Sequence, residues 1–547
     1  MSRAIGIRHR RKKTAENEAR PTQVAILDQA GNLTSQELEN DTAEMDWLMG
    51  RFPIDWRKAA ADEDINSYFL RHCKWRRVKQ DEDVSEAKLG HLRKSVDAKG
   101  LPAQYILTHV PTQFDGLKAG DNVGMVLGGS GDRFSSALSR RGEEIGAKVF
   151  RLPPFVLKEK RGDVEKDDDH ATLAVLFLEQ PELFYFMRLR DRDAIRIKTA
   201  LKLRMDAMKA RIACGQRIEQ SFIGRIFLTE EGRYPEGDIE ALVQNELAND
   251  TIFQSMEADE KRRQKELEKA VREAPIWEAI FAPIIGCGPR LAAPMIASIS
   301  DIRRFWVEPK AGSMAVLKAQ AEDAERNGKL AEDRAKVADR ITKATTPFQV
   351  LQMVRTWKRA NGKEEEAVLL DQAIAFHKQR HVLRRRALKS GMAKLKKFCG
   401  VHVLTVDKNG EPVPKNRQFP RRRVGMVSNW NPDVRQALYL LGEQFNRRPE
   451  SEWGKKLLEY KLKLRQVHPD VIEENGKKRY TNGHIHKMAM WRTLTKFVEQ
   501  LFTVWTKLEL LQQCRERELL PMQPEEKNPP SQAEGGDASP ECDSAVA

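Results

Sequence analysis

Pro283-Ile284-Ile285-Gly286-Cys287-Gly288-Pro289-Arg290-Leu291-Ala292 lies near the middle of the chain and decides how the rest is read. An apolar pair, a Gly-x-Gly and a short run into an apolar helix describe a helix-hairpin-helix turn. Two glycines permit positive φ and remove side chains that would block close approach. The amides opening the next helix then face outward, where a phosphate can sit on a helix N-terminus. Pro289 suits the first turn of that helix, because its missing N–H would have had no partner there. Arg290 adds a positive charge to the same contact. Gly286, Gly288 and Arg290 are therefore expected to hold a nucleic-acid backbone without reading its sequence. The alternative is an ordinary Gly-rich turn between helices.

Composition points to the same partner. The chain has 547 residues, 32% of them charged, and a formal net charge of +15. Its length suggests about three or four domains. A basic balance of that size favours a polyanion, most simply nucleic acid. The six cysteines are scattered, with no CxxC pair, and read as free thiols in a reducing compartment. No apolar run approaches the ~18–20 residues of a membrane span. The first residues carry charge without an apolar core, so no secretory signal is expected and the expected location is cytoplasmic, with no membrane partner. Arg8-His9-Arg10-Arg11-Lys12-Lys13 reads as a solvated loop or an imitation of a nuclear signal.

Along the chain, Ala4-Ile5-Gly6-Ile7 and Gln23-Val24-Ala25-Ile26-Leu27 predict a β-hairpin with the basic run as its loop, followed by a Gly-containing turn at residues 28–32. Residues 43–100 are mixed and charged, with a Trp/Arg-rich piece at Cys73-Lys74-Trp75-Arg76-Arg77. Strands are expected at residues 104–110, 123–127 and 147–152, with a helix between the last two, which together indicate an α/β domain with a buried sheet. Gly128-Gly129-Ser130-Gly131 lacks the lysine of a phosphate loop and reads as a plain strand–helix turn. At residues 163–169, carboxylates gather ahead of an apolar helix. They serve either the helix dipole or a Mg²⁺ ion beside a phosphodiester, with Asp163, Asp167 and Asp169 as the catalytic candidates and Asp167 and Asp169 as the metal ligands.

From Asp193 the period becomes helical, with Ile197, Leu201, Met205, Met208 and Ile212 on one face. A second helical stretch from Asp238 to Arg272 completes an antiparallel pair or coiled-coil arm suited to homo-oligomers. Residues 311–389 read as an inserted helical module. Within it His377 and His381 stand four apart, but Lys378 follows the first where a zinc-binding HExxH has Glu, so they read as surface residues. Further on, Asn431 and Pro432 open a helix, and Arg421, Arg422, Arg423 and Arg435 form a candidate phosphate patch. A last amphipathic helix carries Met488, Trp491, Leu494, Val498, Leu501 and Trp505 on one face, and the segment beyond about residue 520 reads as disordered.

Three blocks, in this order, resemble the insertion-sequence transposases of the IS-one-ten type, the DEDD recombinases guided by a bridge RNA. They are the strand, Pro-Pro and Lys-Asp-Asp-Asp-His-x-x-Leu-Ala run at residues 147–174, the hairpin with Asp301-Ile302-Arg303-Arg304-Phe305, and Phe398-x-Gly400 followed by Asn431-x-x-Val434-Arg435-x-x-Leu438. The resemblance implies an RNase H-like (RuvC-like) domain at residues 1–190, a helical arm at 191–275, and a hairpin-bearing transposase domain at 276–310 plus 390–515. Composition, and not the resemblance, marks 516–547 as a disordered tail. The resemblance also implies DNA and a structured non-coding RNA as partners, Mg²⁺ as cofactor, and dimers or tetramers of the chain.

The catalytic set implied by the resemblance is replaced here. Arg8 follows Gly6-Ile7 where the family has its first Asp, and Gly128 stands where it has Glu. Lys166 stands three residues before Asp169 in place of a carboxylate. Lys408-Asn409-Gly410 occupies the region of the nucleophilic Ser, with Thr405 the only hydroxyl nearby and Ser428 too late in the motif. An Arg at a ligand position removes an oxygen donor and repels the ion, and without the Ser no nucleophile is evident. Two readings follow: a transposase-type recombinase, or a binding or regulatory protein derived from one. A Mg²⁺-dependent nuclease built on residues 163–169 is a third.

Overall fold

Residues 1–196 and 197–547 form two separate units. The computed structural model describes residues 3–10, 20–60, 62–79, 82, 84, 86–96, 100–230, 236–307, 311–338, 346–404, 419–420, 428–474 and 477–519. Residues 11–13, Thr405, residues 408–410, Arg421, Arg422, Arg423 and the tail from residue 520 lie outside them.

The first unit is mixed α/β. Ala4-Ile5-Gly6-Ile7 is almost continuously apolar, and a strand of that kind is buried on both faces. It forms β1 (Ala4–Arg8), the centre of a six-stranded sheet. The sheet adds β2 (Thr22–Leu27) and β3 (Leu33–Leu38), each antiparallel to its predecessor. Helix α1 (Asp41–Leu48) follows β3. Four strands of a second sheet come next: β4 (Phe52–Lys58), β5 (Lys74–Arg77), β6 (Leu92–Val96) and β7 (Pro102–Asp115). The chain then returns to the first sheet with β8 (Asn122–Val126), helix α2 (Asp132–Ile145), β9 (Lys148–Leu152), helices α3 (Pro154–Arg161) and α4 (Asp169–Glu179), and the short β10 (Tyr185–Phe186). The spatial order is β10-β9-β8-β1-β2-β3, with β8 parallel to both β1 and β9.

Both faces of this sheet are covered, as the apolar strands require. Trp47, Phe134 and Leu138 close one face over Ile5, Ile7, Val24 and Val123. Leu157, Leu173 and Phe177 close the other over Ala4, Ala25 and Leu152. On that second face α4 crosses β1 at Gly6, where a Cβ would overlap the His170 carbonyl and lie 2.6 Å from the Ala174 amide nitrogen. Glycine is needed here for space.

The expected hairpin and the strands at residues 104–110, 123–127 and 147–152 are present. Sequence reading did not find β3, whose Thr-Ser-Gln-Glu centre is polar because it lies at the sheet edge. Nor did it find the second sheet, in which β4, β5 and β6 are all antiparallel to β7. That sheet is tied to α1 through Asp46, which accepts from Arg71 at 2.6 Å and contacts His72 at 2.7 Å. At the far end of β7, Asp115 receives Arg3 at 3.0 Å and Lys118 at 2.8 Å. Burial alone would raise the Asp115 carboxyl. Hydrogen bonds from Lys118 and the Gly116 amide, with the charge of Arg3, outweigh it and hold the carboxyl down to about 2.

The second unit is helical. Helix α5 (Leu189–Phe227) begins in the first unit and carries the predicted apolar period. The stretch 238–272 breaks at Asp250 into α6 (Ile239–Asn249) and α7 (Thr251–Glu273), because the Asp250 carboxylate caps α7 through the Phe253 amide at 2.7 Å. Glu260 of α7 binds Arg204 at 3.0 Å and Arg211 at 2.6 Å, fixing the register of α5 on α7. Helix α8 is Pro289–Ile299. Within residues 311–389, the described stretches 311–338 and 346–389 are mostly helical as expected, with Lys358 fully buried against Asp333 and, at 2.7 Å, Glu366. Helices Pro432–Arg447, Glu452–Val467 and Asn482–Leu519 complete the unit, and Met488, Leu494, Val498, Leu501 and Trp505 are buried as their spacing predicts. No described helix is long and apolar enough to cross a membrane.

Two outcomes follow. Gly6→Ala is expected to destabilise the first unit by about 3 kcal/mol, the upper range for overpacking, because its obstacle is backbone; urea denaturation measures it. Asp115 stabilises through a carboxyl pKa depressed below its ordinary value near ~4. That contribution is complete above the ordinary value and is lost as pH falls through about 2. Asp115→Asn should therefore lower the thermal midpoint at neutral pH and flatten its fall with acid, which melting curves from pH 7 downward will show.

Candidate nucleic-acid interface

Close contact at Gly6 brings the start of α4 over the C-terminal end of β1. The Asp167 carboxylate therefore meets the residue that follows Gly6-Ile7, which is Arg8. Its guanidinium donates to Asp167 at 2.7 Å and to the Gln23 side-chain oxygen at 3.1 Å. Arg20 donates to both Asp167 oxygens, at 2.5 and 2.8 Å. Asp169 is buried, and Arg161 at the end of α3 holds both its oxygens, at 2.6 and 3.1 Å. Asp163 is exposed on the preceding turn. Asp168 occupies the N-cap position of α4 without a side-chain cap bond.

His170 completes this centre. Its Nδ1 lies 3.2 Å from the Asp167 carbonyl, so Nδ1 carries the proton, and Nε2 is left to accept from the Ser35 hydroxyl at 3.5 Å. Burial, reinforced by the charge of Arg8, lowers the imidazole pKa and keeps the ring neutral. Beside it, the ends of the parallel pair β1 and β8 are closed by the glycine loop. Ser130 Oγ contacts His9 Nδ1 at 3.1 Å and donates to the Arg10 carbonyl at 3.2 Å. Gly128 and Gly129 both have φ of +89°, so the loop is the tight strand–helix turn that its composition predicts.

Mg²⁺ does not fit these carboxylates as they stand. The ion takes oxygen ligands in a near-octahedral set. Here both oxygens of Asp167 and both of Asp169 receive guanidinium N–H groups, whose charge opposes a second cation. Among the described residues no three His, Cys, Asp or Glu side chains gather as an ion would require. The arrangement is instead a set of arginines held in place by acids.

In the second unit the chain turns at the Gly-x-Gly motif and enters α8, with Gly286 and not Gly288 in the left-handed region. A widened helical turn (Trp277–Phe281) ends at the fully buried Phe281, and the chain reverses through hydrogen bonds from Ile284 N–H to Phe281 and from Cys287 N–H to Ile284. Gly286 has φ of +94°, and a Cβ there would lie 3.1 Å from the Gln444 Cβ, so conformation and space both favour glycine. Gly288 is the extended N-cap of α8, with Pro289 in the first turn. Gly288 and Arg290 are exposed, while Ala292, Ala293, Ile296 and Ile299 anchor the helix in the core. Cys287 points inward, and burial pushes its thiol up to about 12, which rules it out as a nucleophile near neutral pH.

Arg435 has a different place from the phosphate contact its motif suggests. Its guanidinium donates to the Gly400 carbonyl and, at 2.7 Å, to the Pro420 carbonyl. It is stacked between Trp430 at 4.6 Å and Trp491 at 4.4 Å. Burial lowers its pKa to about 10. Gly400 has φ of +69°, and a side chain there would strike Trp430 and Arg435. Arg435 thus locks the turn at residue 400 to the helix that Asn431 caps through the Val434 amide at 3.0 Å. His377 pairs with Glu325 at 2.7 Å, as a partly exposed ion pair.

Compared with known protein families and with curated proteins, the chain matches none. Arg435→Ala is expected to cost about 2–3 kcal/mol, since it orphans two carbonyls and empties an aromatic clamp. Arg435→Lys should recover less than half of that, because an ammonium lacks the planar fork. Denaturant titration of tryptophan fluorescence reads both.

Proposed function

We propose that this chain binds DNA, and a structured RNA with it, on the scaffold of an IS-one-ten-type transposase whose metal centre has been replaced by arginines. The observation that carries the proposal is the position of Arg8. It stands at the C-terminal end of the central strand, bonded to Asp167, while Arg161 occupies Asp169. Support for an RNase H-like first unit comes from its strand order, three antiparallel strands followed by two parallel ones in the sequence β3-β2-β1-β8-β9. Support for a transposase-type second unit comes from the hairpin that exposes Gly288 and Arg290 at the start of α8. The arms α5 and α7 suit assembly of the chain with itself.

In this reading the guanidinium groups take phosphate oxygens through charge-assisted, forked hydrogen bonds. Asp167 and Asp169 pre-order them and compete with the ligand. Neutral His170 and the Ser35 hydroxyl add uncharged polar contacts to the same centre. Recombination at this centre would need a second carboxylate set, and its arginine pairing disfavours a Mg²⁺-dependent nuclease on residues 163–169.

Mutation of the acids separates the two chemistries by sign. Asp167→Ala and Asp169→Ala should strengthen binding to a DNA duplex, because the first releases the guanidinium groups of Arg8 and Arg20 and the second that of Arg161. Each should also steepen the fall of log affinity with log salt by about 0.9 for every freed guanidinium that takes a phosphate, so that Asp167→Ala has the larger effect. Fluorescence anisotropy across a salt series measures both. Mg²⁺-dependent cleavage or strand exchange that disappears in Asp169→Ala would overturn the proposal in favour of an enzyme.

A further inference from the structure

The second sheet of the first unit is not needed to build the Arg8 centre, and its cross-strand register is unusual. Tyr105 of β7 is paired directly with Arg77 of β5 on one side and with Arg93 of β6 on the other. Four residues along, His109 is paired with Lys74 of β5 and with Lys58 of β4. Direct partners share a face of the sheet, with Cβ atoms roughly 4.5–5.5 Å apart. Each row therefore reads cation, ring, cation. All four cations are exposed, and both rings are partly exposed.

Neighbouring arginines at alternate positions are treated differently. Arg57 holds Glu63 through two bonds of 2.8 Å, and Arg76 holds Glu82 at 2.7 and 2.5 Å. Hydrogen bonds from those arginines, with support from backbone amides, keep both carboxyls at about 2. Among the described residues, Lys58, Lys74 and Arg93 have no carboxylate partner. Lys74 instead lies 3.8 Å from the Trp56 ring centroid. Like charges gathered on one sheet cost stability. A fold that neutralises Arg57 and Arg76 and leaves Lys58, Lys74 and Arg93 beside rings is arranged for a polyanion that also carries flat groups.

We infer that this sheet is a binding surface for single-stranded nucleic acid. Unpaired bases stack on Tyr105 and His109, and the flanking cations take the adjoining phosphates. Bases within a duplex are already stacked on one another and present no free face to a ring, so the rows select unpaired strand. The inference rests on the nucleic-acid reading above and assigns a second, separate surface to it.

The test uses the full chain, a fluorescein-labelled oligo-dT of about 20 nucleotides, and a duplex of the same length. Tyr105→Ala should weaken oligo-dT binding about tenfold, as expected for the loss of one stacked base, and leave duplex binding unchanged. Tyr105→Phe should bind as the parent does. Lys58→Gln with Arg93→Gln, both on the surface, should reduce the salt slope for oligo-dT by about 1.4, at ~0.7 per single-strand phosphate. Unchanged oligo-dT binding in a folded Tyr105→Ala overturns the inference, as does an equal loss for both polymers. If Tyr105→Ala fails to fold, an unchanged salt slope in the double variant overturns it instead. Duplex binding that persists in either case leaves the nucleic-acid reading standing. A parent chain that binds neither polymer overturns both.

Discussion

The close approach of α4 to β1 at Gly6 is the constraint on which the first unit depends. A single absent Cβ lets helix backbone rest on strand backbone, and this decides where residues 167–170 lie. Everything at the candidate centre follows from that contact. Asp167 reaches Arg8, the His170 ring falls between the Asp167 carbonyl and Ser35, and Asp169 is buried deeply enough to need Arg161. The covering helix is therefore a positioning device as well as half of the core.

Charge then decides what the centre can do. Isolated carboxylates beside one strand end would repel one another and invite a cation. Guanidinium groups placed among them remove that repulsion and supply planar donors that match phosphate geometry. The same economy appears elsewhere in the chain. Arg57 and Arg76 have dedicated carboxylates, and Arg435 has carbonyls and indole rings. Arg290 stands exposed at the hairpin. Arginine does three jobs here, and only its partners distinguish them.

Much of the architecture was legible because it rests on local rules. The apolar run at Ala4-Ile5-Gly6-Ile7, the Asn431 cap with Pro432 behind it, and the spacing of Leu494, Val498 and Leu501 each foretell what forms. The hairpin turn was readable for the same reason, since Gly286 answers to φ and Gly288 to the N-cap. Edge strand β3 and the second sheet were not legible. Their residues are polar and charged, and β4 and β5 pair with β7, which is distant in sequence. The candidate centre was half legible. Asp167 and Asp169 stood out as acids at a helix start, and Arg8 as the residue standing where the resemblance expects an Asp. Nothing local joins them, because residues 8 and 167 meet only through packing at Gly6. Arg435 was misleading for a related reason: its motif advertises charge, and only the fold supplies Trp430 and Trp491.

The central claim is that this chain is a nucleic-acid binder whose contacts are made by arginines. The most direct measurement is to purify the full chain at mild salt and to sequence whatever nucleic acid accompanies it. The account predicts co-purifying nucleic acid, part of it structured RNA, that is released as salt is raised. A chain that emerges free of nucleic acid at low salt, or a complex indifferent to salt, would contradict it.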